Sequence, residues 1–301
     1  MKKVIWSLCC LCLTTLASAQ PFPQQEIRRI IGNTDANKIE TVKQLVQLPD
    51  GYLLLAGTWQ DSAFVMKVNE VDDKIWHRTF NPGTKSTFAG VVSLSNGDII
   101  ALGSCDSCLV NDGAKKAIIY KLNEAGDSLD FRISGPVGFD KVPTALAKDE
   151  SDQIIIVGRQ VVTTAFSLRD IFVERWDANL MMLDSAGIHK QAYDDVSSIE
   201  PTDGNYFLLA GSSLASLVAS RKGELFKVNA DLDTVWTRQL PGAAWLFDAK
   251  ISDQGEIYTV GRSTLISGET EGYLAKLDSN GQLLLDTNYG GSGNNELCNV
   301  H

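Results

Sequence analysis

The stretch Asp50-Gly-Tyr-Leu-Leu-Leu-Ala-Gly57 decides the fold, because variants of it are written five times along this chain of 301 residues. Each copy joins a turn to an apolar run that ends in glycine. The copies follow one another at intervals of about fifty residues, a period typical of an array of similar supersecondary units. Their terminal glycines are Gly57, Gly103, Gly158, Gly211 and Gly261.

A second anchor keeps the same register. It consists of a basic residue, one further residue and then Asn or Asp, and it occurs as Lys67-Val-Asn69, Lys121-Leu-Asn123, Arg175-Trp-Asp177, Lys227-Val-Asn229 and Lys276-Leu-Asp278. Two independent anchors with one period define five repeats. We place the repeats at residues 39–82, 86–135, 141–189, 194–242 and 245–290, with a partial repeat at 291–301.

Each repeat contains four extended runs. In the first repeat they are Thr41 to Leu48, Tyr52 to Gly57, Phe64 to Val68 and Lys74 to Phe80. The turn at Pro49-Asp50-Gly51 suits a tight hairpin, because glycine supplies the positive φ that such a turn needs. The second run is continuously apolar, which favours a strand buried on both faces. We therefore predict an all-β protein, a β-propeller of four-stranded antiparallel blades, with five full repeats and a partial blade shared by or cut at the termini.

The N-terminus reads as an export signal. Two lysines precede an apolar core, and Ala17-Ser18-Ala19 matches a signal peptidase site, so residues 1–19 are predicted to be a signal peptide and 20–301 the propeller. We expect the protein to be secreted, at the cell surface or in the periplasm. Residues 26–31 resemble an outer strand without preceding inner strands. Either both termini complete a sixth blade, or the chain is a truncated piece of a larger surface protein; we favour the second.

Charge and hydropathy exclude some classes of partner. The net charge is −10, with 37 acidic against 27 basic residues, whereas nucleic-acid binding depends on neutralising phosphates with basic residues. Beyond the signal, the sequence contains no apolar run long enough to cross a membrane. We therefore predict no nucleic-acid partner and no membrane span.

The cysteines outside the predicted signal are Cys105, Cys108 and Cys298. In an oxidising compartment Cys105 and Cys108 are candidates for a local disulfide. A redox motif would require a helix N-terminus, and zinc would require a second pair of ligands. These two alternatives are supported less well by the sequence.

Other candidate motifs carry little chemistry. Asn229-Ala-Asp-Leu-Asp233 has oxygen ligands at alternate positions, but Thr234 stands where a calcium loop needs glycine, so we interpret it as a turn. The pair Asp194-Asp195 is interpreted as solvated loop. The histidines are His77, His189 and His301, without any catalytic spacing. We predict no catalytic residue, no metal and no cofactor.

The loop after each repeat glycine is the best candidate for a binding surface, because function tends to lie on variable loops over a rigid scaffold. Trp59, Arg159 and Arg262 follow their glycines closely. We expect them to present aromatic and basic groups on one face, for a glycan or an acidic protein segment. Strand capping is the simpler alternative for the same residues.

The repeat resembles that of secreted or surface-attached bacterial β-propeller proteins. The residues that carry the resemblance are Asp50 to Gly57, Lys276 to Asp278, Val235-Trp236 and Tyr289 to Asn294. The resemblance implies a scaffold and transfers no catalytic residue. Quinone-dependent propellers look similar, with a docking Trp in each blade. Here the outer strand of a repeat contains Trp only at Trp76 and Trp236, while Phe131, Leu183 and Leu285 occupy comparable places.

The sequence thus favours a secreted, non-catalytic propeller that binds or adheres through the loops of one face. The alternative is a propeller enzyme that acts on glycans, as a hydrolase or lyase. An enzyme should gather ionisable residues with shifted pKa values from several blades.

Overall fold

The structure is a computed structural model, and it describes residues 40–69, 73–108, 113–161, 169–188, 193–216, 219–265, 267–291 and 293–300. The predicted signal peptide at 1–19, the predicted outer strand at 26–31, His189 and His301 lie outside these ranges. All of the described residues belong to one compact unit, Asn33–His301.

The described residues form β-strands joined by turns. The strands are β1 Glu40–Gln47, β2 Leu53–Trp59, β3 Ser62–Val68, β4 Lys74–Phe80, β5 Lys85–Ser93, β6 Ile99–Asp106, β7 Lys115–Leu122, β8 Ser128–Ser134, β9 Lys141–Lys148, β10 Ile154–Val161, β11 Arg169–Trp176, β12 Met182–Ile188, β13 Tyr193–Thr202, β14 Tyr206–Leu214, β15 Lys222–Val228, β16 Thr234–Leu240, β17 Trp245–Ile251, β18 Ile257–Thr264, β19 Thr270–Leu277 and β20 Leu283–Tyr289.

Consecutive strands pair antiparallel in groups of four, one group for each repeat. We call the groups blades one to five. Blades three and four are joined at one further point, where Arg169 of β11 pairs with Tyr193 of β13. The first strands β1, β5, β9, β13 and β17 contact one another in succession, which is the arrangement of blades around an axis. The predicted all-β propeller fold is confirmed.

Two faces follow from this topology. In each blade the second strand ends, and the first and third strands begin, at the same edge of the sheet, which we call the upper face. The tight turns between first and second strands lie at the opposite edge, the lower face. At these lower turns Gly51, Gly97, Gly204 and Gly255 have φ between 74° and 87°. Blade three lacks the glycine, and Asp152 takes the same conformation with φ 58°.

The repeat glycines lie inside the second strands and not at their ends, which corrects the predicted boundaries. A β-bulge in the first strand faces each of them, as between Phe88 and Gly90 opposite Gly103. The bulge brings a carbonyl oxygen against the glycine: a Cβ on Gly103 would lie 1.9 Å from the Thr87 oxygen. At the other four glycines the corresponding distance is 1.9 to 2.3 Å. The repeat therefore needs glycine because no side chain fits under the bulge.

The core lies between neighbouring blades. One cluster joins Leu54 and Val65 of blade one to Ala101 and Tyr120 of blade two. Another joins Leu102 and Ile119 of blade two to Ile156 and Phe172 of blade three. Because each sheet buries both faces against its neighbours, its two central strands must be apolar throughout, as the sequence predicts.

The outer edges of the blades are connected by a tryptophan in one blade and a glycine in the next. The ring of Trp76 in β4 covers Gly126, which lies in the β7–β8 turn of blade two. The Trp76 Nε1 donates a hydrogen bond to the backbone carbonyl oxygen of Glu124 at 3.1 Å. Trp236 covers Gly281 in the same way. The tryptophan therefore occurs where the next blade leaves space for it.

Where the tryptophan is missing, leucine fills the space from the other side. The register places Asp130 and Asp184 at the tryptophan position, so the proposed equivalence with Phe131 and Leu183 was shifted by one residue. The turns that follow in the next blades carry Leu180 and Leu232, 1% and 2% exposed. At each of these contacts the large side chain comes from one blade or the other: a tryptophan in the outer strand packs on a glycine, or a leucine in the turn of the next blade replaces the missing tryptophan. We call this the tryptophan–leucine exchange.

This exchange can be tested by urea unfolding. Trp76→Ala should lower the free energy of unfolding by about 2 kcal/mol, since it empties a half-buried contact. Gly126→Leu should lower it similarly, because leucine would meet the Trp76 ring and take a positive φ. The double variant reproduces the arrangement at Leu180 and should be more stable than the sum of the two losses predicts. Strict additivity would contradict the exchange.

Candidate functional site

Four arginines gather on the upper face of blades three to five. They are Arg159 near the end of β10, Arg169 at the start of β11, Arg221 just before β15 and Arg262 in β18. We call them the arginine cluster. Their side chains are 21% to 41% exposed, so the guanidinium groups are anchored by the fold and still reach solvent. On a chain with net charge −10, such a concentration of positive charge is a distinct feature.

Asp195 in β13 holds three of these arginines. Arg221 donates to Asp195 Oδ2 at 2.9 Å and to Ser212 Oγ at 2.8 Å. Arg159 and Arg169 lie 3.6 and 3.8 Å from Asp195 Oδ1. The Asp195 side chain is 5% exposed, so these contacts form across blades three and four in a largely desolvated place.

The contacts of Arg159 and Arg169 are ion pairs that lie beyond hydrogen-bond length. Within the described ranges neither guanidinium group has a hydrogen-bond partner, and Asp195 Oδ1 accepts no hydrogen bond. The two arginines are diagonal neighbours on paired strands, since Arg159 lies opposite Ile171. Two sets of N–H donors that have no acceptor among the described residues therefore lie side by side at the upper face.

Aromatic rings flank the arginine cluster. The Arg221 guanidinium lies 4.3 Å from the centre of the Trp245 ring, and Arg262 lies 5.8 Å from it. Trp245 stacks near Phe247 and donates from Nε1 to Ser197 Oγ at 2.9 Å. These contacts hold the guanidinium planes in fixed orientations.

The arginine cluster forms ion pairs with acidic residues. Arg262 pairs with Glu296 at 3.4 Å, and Asp195 serves the other three arginines. Asp194 is fully buried, and by strand alternation it points to the opposite face of β13 from Asp195. Among the described residues, the four arginines thus form ion pairs with two carboxylates, those of Asp195 and Glu296.

The structure brings two of the three predicted binding residues into one network. Arg159 and Arg262 are linked through Asp195, Arg221 and Trp245. Arg159 also bridges blades three and four through Asp195, whereas Arg262 contacts Trp245 and Phe247 of its own blade and Glu296 beyond β20. This bridge is compatible with ligand binding, because the Arg159 guanidinium, 3.6 Å from Asp195, donates no hydrogen bond to any of the described residues.

Trp59 lies apart from this network. Its ring meets His77 edge-on at 4.8 Å and Phe64 at 6.1 Å, within blade one. Burial, followed by the charge of Lys74, lowers the pKa of His77. We therefore assign Trp59 to the packing of blade one.

The sequence reasoning missed Asp195, Arg221 and Trp245. The interpretation of Asp194-Asp195 as solvated loop was wrong, because both residues lie in β13 and are 0% and 3% exposed. One signal was available. Asp195 and Trp245 occupy equivalent places, each pairing with the residue after a repeat glycine, and aspartate is rare in a strand.

A cavity of about 660 Å³ opens on the lower face between the turns of blades three to five. Several of its acidic side chains have structural partners. Glu200 accepts from Lys250 at 2.6 Å, and Asp149 Oδ1 accepts from the backbone of Ser151 and Gln153. Its acidic lining is therefore at least partly explained by turn formation, and we do not assign a site to it.

Cys105 and Cys108 are joined by a disulfide at the upper end of β6, and Cys298 is a free, exposed thiol. In the Asn229–Asp233 segment, Asn229 Oδ1 accepts from the Asp233 backbone at 2.8 Å, which closes a turn. Among the described residues no group of three or more His, Cys, Asp or Glu side chains is arranged to hold a metal ion. Within the same residues, no helix has the length and apolar character needed to cross a bilayer.

Groups with shifted pKa values are scattered over the described blades. Burial raises the pKa of Tyr120. Burial also raises the pKa of Tyr273, and the Asp286 carboxylate raises it further. A hydrogen bond from Lys276 lowers the pKa of Glu256. None of these three groups lines the lower-face cavity.

Comparison with known proteins supports the fold alone. No protein family and no curated protein matches the sequence. Among solved structures, a protein of unknown function from Bacteroides caccae is similar over 87% of this chain and 86% of its own, with 12% identity and a TM-score of 0.51. The WD40 domain of Pan2 from Neurospora crassa is similar over 82% of this chain and 66% of its own, with 13% identity and a TM-score of 0.56.

Proposed function

We propose that this protein is an exported, non-catalytic propeller that binds an acidic glycan through the arginine cluster. The observation that carries the proposal is the convergence of Arg159 and Arg169, whose N–H donors have no hydrogen-bond acceptor among the described residues. Guanidinium groups suit carboxylate and sulfate oxygens, because the planar fork donates two parallel hydrogen bonds. An acid group of the ligand lies across the two guanidinium groups.

The surroundings favour a glycan over an acidic peptide. The cluster occupies a compact place on the face of the propeller, with Trp245 and Phe247 beside it. Three of the arginines lie in β10, β11 and β18, and each of these strands has partners on both sides, so the strands that carry them offer no open edge to a peptide backbone. A ligand recognised by separate charged groups fits this surface.

Export is part of the proposal and rests on the sequence at residues 1–19. The disulfide between Cys105 and Cys108 agrees with an oxidising compartment. A role as one module of a larger surface protein is compatible with this function, since the arginine cluster lies within three consecutive blades.

The test is isothermal titration of the purified protein with three probes: trigalacturonate, a sulfated glycosaminoglycan hexasaccharide and a hexaglutamate peptide. At least one acidic oligosaccharide should bind, with an affinity that falls as ionic strength rises. Arg159→Ala should weaken that binding about tenfold, the effect of losing one charge-assisted hydrogen bond.

Arg132→Ala is the matched control. Arg132 lies in β8, pairs with Asp130 and is comparably exposed at 39%, but it is remote from the cluster. Its replacement should leave the affinity unchanged. If only hexaglutamate binds, the ligand is an acidic protein segment and not a glycan. If Arg159→Ala and Arg132→Ala lose equal affinity, the effect comes from net charge and not from the arginine cluster.

A further inference from the structure

A second cavity lies on the upper face, between blades one and two. Its volume is about 210 Å³, which is the space of about seven water molecules and enough for one sugar ring. Hydroxyl groups line it: Thr58, Ser86, Thr87 and Ser104. Its position between blades one and two is equivalent to that of the Arg159–Asp195 contact between blades three and four. Thr58 and Arg159 each follow a repeat glycine, and Thr87 and Asp195 each pair with the residue after one.

The hydroxyl groups keep capacity for a ligand. Thr58 Oγ1 donates to Thr87 Oγ1 at 2.6 Å, and Thr87 Oγ1 reaches the Phe88 oxygen only at 3.4 Å. A threonine hydroxyl has one donor and two acceptor positions, so Thr58 retains acceptor positions. Within the described part of the chain, the Ser104 hydroxyl has no hydrogen-bond partner, although the residue is only 7% exposed.

Two loosely paired sets of charges complete the lining. Lys85 lies 3.9 Å from Asp61, and Lys115 lies 3.8 Å from Asp106. Both distances exceed hydrogen-bond length, so ammonium donors and carboxylate acceptors are available in equal number. A lining with balanced charge and several hydroxyl groups selects a neutral ligand that carries many hydroxyl groups itself.

We propose that this cavity is a subsite for a neutral sugar residue of the same glycan. The proposal rests on the proposed function in that both sites share one face and serve one ligand. The upper face is then divided: blades one and two hold a neutral sugar by hydroxyl and carboxylate hydrogen bonds, and blades three to five hold an acid group by arginine. The ligand is a mixed polysaccharide with neutral and acidic residues.

The experiment uses neutral probes only, so that it does not depend on the arginine cluster. Saturation-transfer NMR is recorded with the methyl glycosides of galactose, glucose, mannose and N-acetylglucosamine. At least one should receive saturation from the protein. Thr87→Val, which keeps the side-chain shape, and Asp106→Asn, which removes the charge, should each reduce the signal at least about threefold.

Thr79→Val on the exposed face of β4 is the matched control and should have no effect. The double variant Arg159→Ala/Arg169→Ala should bind neutral glycosides like the wild type. Absence of saturation transfer with all four glycosides overturns the subsite, as does a signal that survives both Thr87→Val and Asp106→Asn. If neutral glycosides bind but no acidic glycan does, the subsite stands and the arginine proposal fails.

Discussion

Replacing Gly103 by alanine is expected to lower the free energy of unfolding by at least about 3 kcal/mol, or to prevent folding. A Cβ at this position would lie 1.9 Å from the Thr87 carbonyl oxygen and 2.7 Å from the Phe88 Cα. Both are backbone atoms of the bulge in β5, so relief requires the strand to move away from its hydrogen-bonding partner. Urea unfolding followed by tryptophan fluorescence measures the loss.

Gly97→Ala in the same blade separates this effect from the general cost of replacing glycine. Gly97 has φ 87°, and a Cβ on it would have no atom within 4 Å, so alanine there suffers backbone strain alone, about 1–2 kcal/mol. Similar losses for the two variants would contradict the explanation of the repeat glycine by close approach to the bulge.

Replacing Lys141 by methionine is expected to cost about 3–5 kcal/mol, because it leaves the buried Glu174 carboxylate without its cation. Lys141 and Glu174 form an ion pair, and their side chains are 6% and 5% exposed. Lys141 also donates to Ser134 Oγ at 3.0 Å, and Trp176 Nε1 donates to Glu174 at 3.1 Å. The pair lies where blade three meets the end of β8.

The double variant Lys141→Met/Glu174→Gln removes both charges while glutamine keeps an oxygen for Trp176. Its stability should return to within about 1 kcal/mol of the wild type, since a buried ion pair adds little over neutral groups of similar size. A double variant as unstable as Lys141→Met would show that the pair itself, and not the isolated carboxylate, determines the loss.

Much of the fold was predictable because two different anchors repeat with one period. The turn glycines and the apolar second strands are local signals, and the structure confirms them at Gly51, Gly97, Gly204 and Gly255. The position of the repeat glycine within the strand was not predictable, because the bulge that requires it belongs to another strand. That a buried leucine such as Leu180 replaces a tryptophan such as Trp76 was not predictable for the same reason, because the contact joins residues of different blades.

The candidate site was predictable only in part. Arg159 and Arg262 were found because they follow a local landmark, the repeat glycine. Asp195 was missed because an adjacent pair of acids in a polar stretch looks solvated, and only the neighbouring Arg159, Arg169 and Arg221 explain its burial. Such convergence depends on the angle and distance between blades, which no local pattern encodes.

The central claim is that Arg159 and Arg169 hold one acid group together, and a double-mutant cycle tests it most directly. The affinity for trigalacturonate or the sulfated hexasaccharide, whichever binds more tightly, is measured for the wild type, Arg159→Ala, Arg169→Ala and the double variant. If the two guanidinium groups share one acid group, the double variant should lose clearly less than the sum of the single losses, with a coupling of about 0.5–3 kcal/mol. Additive losses, or binding by the double variant as tight as by the wild type, would contradict the account.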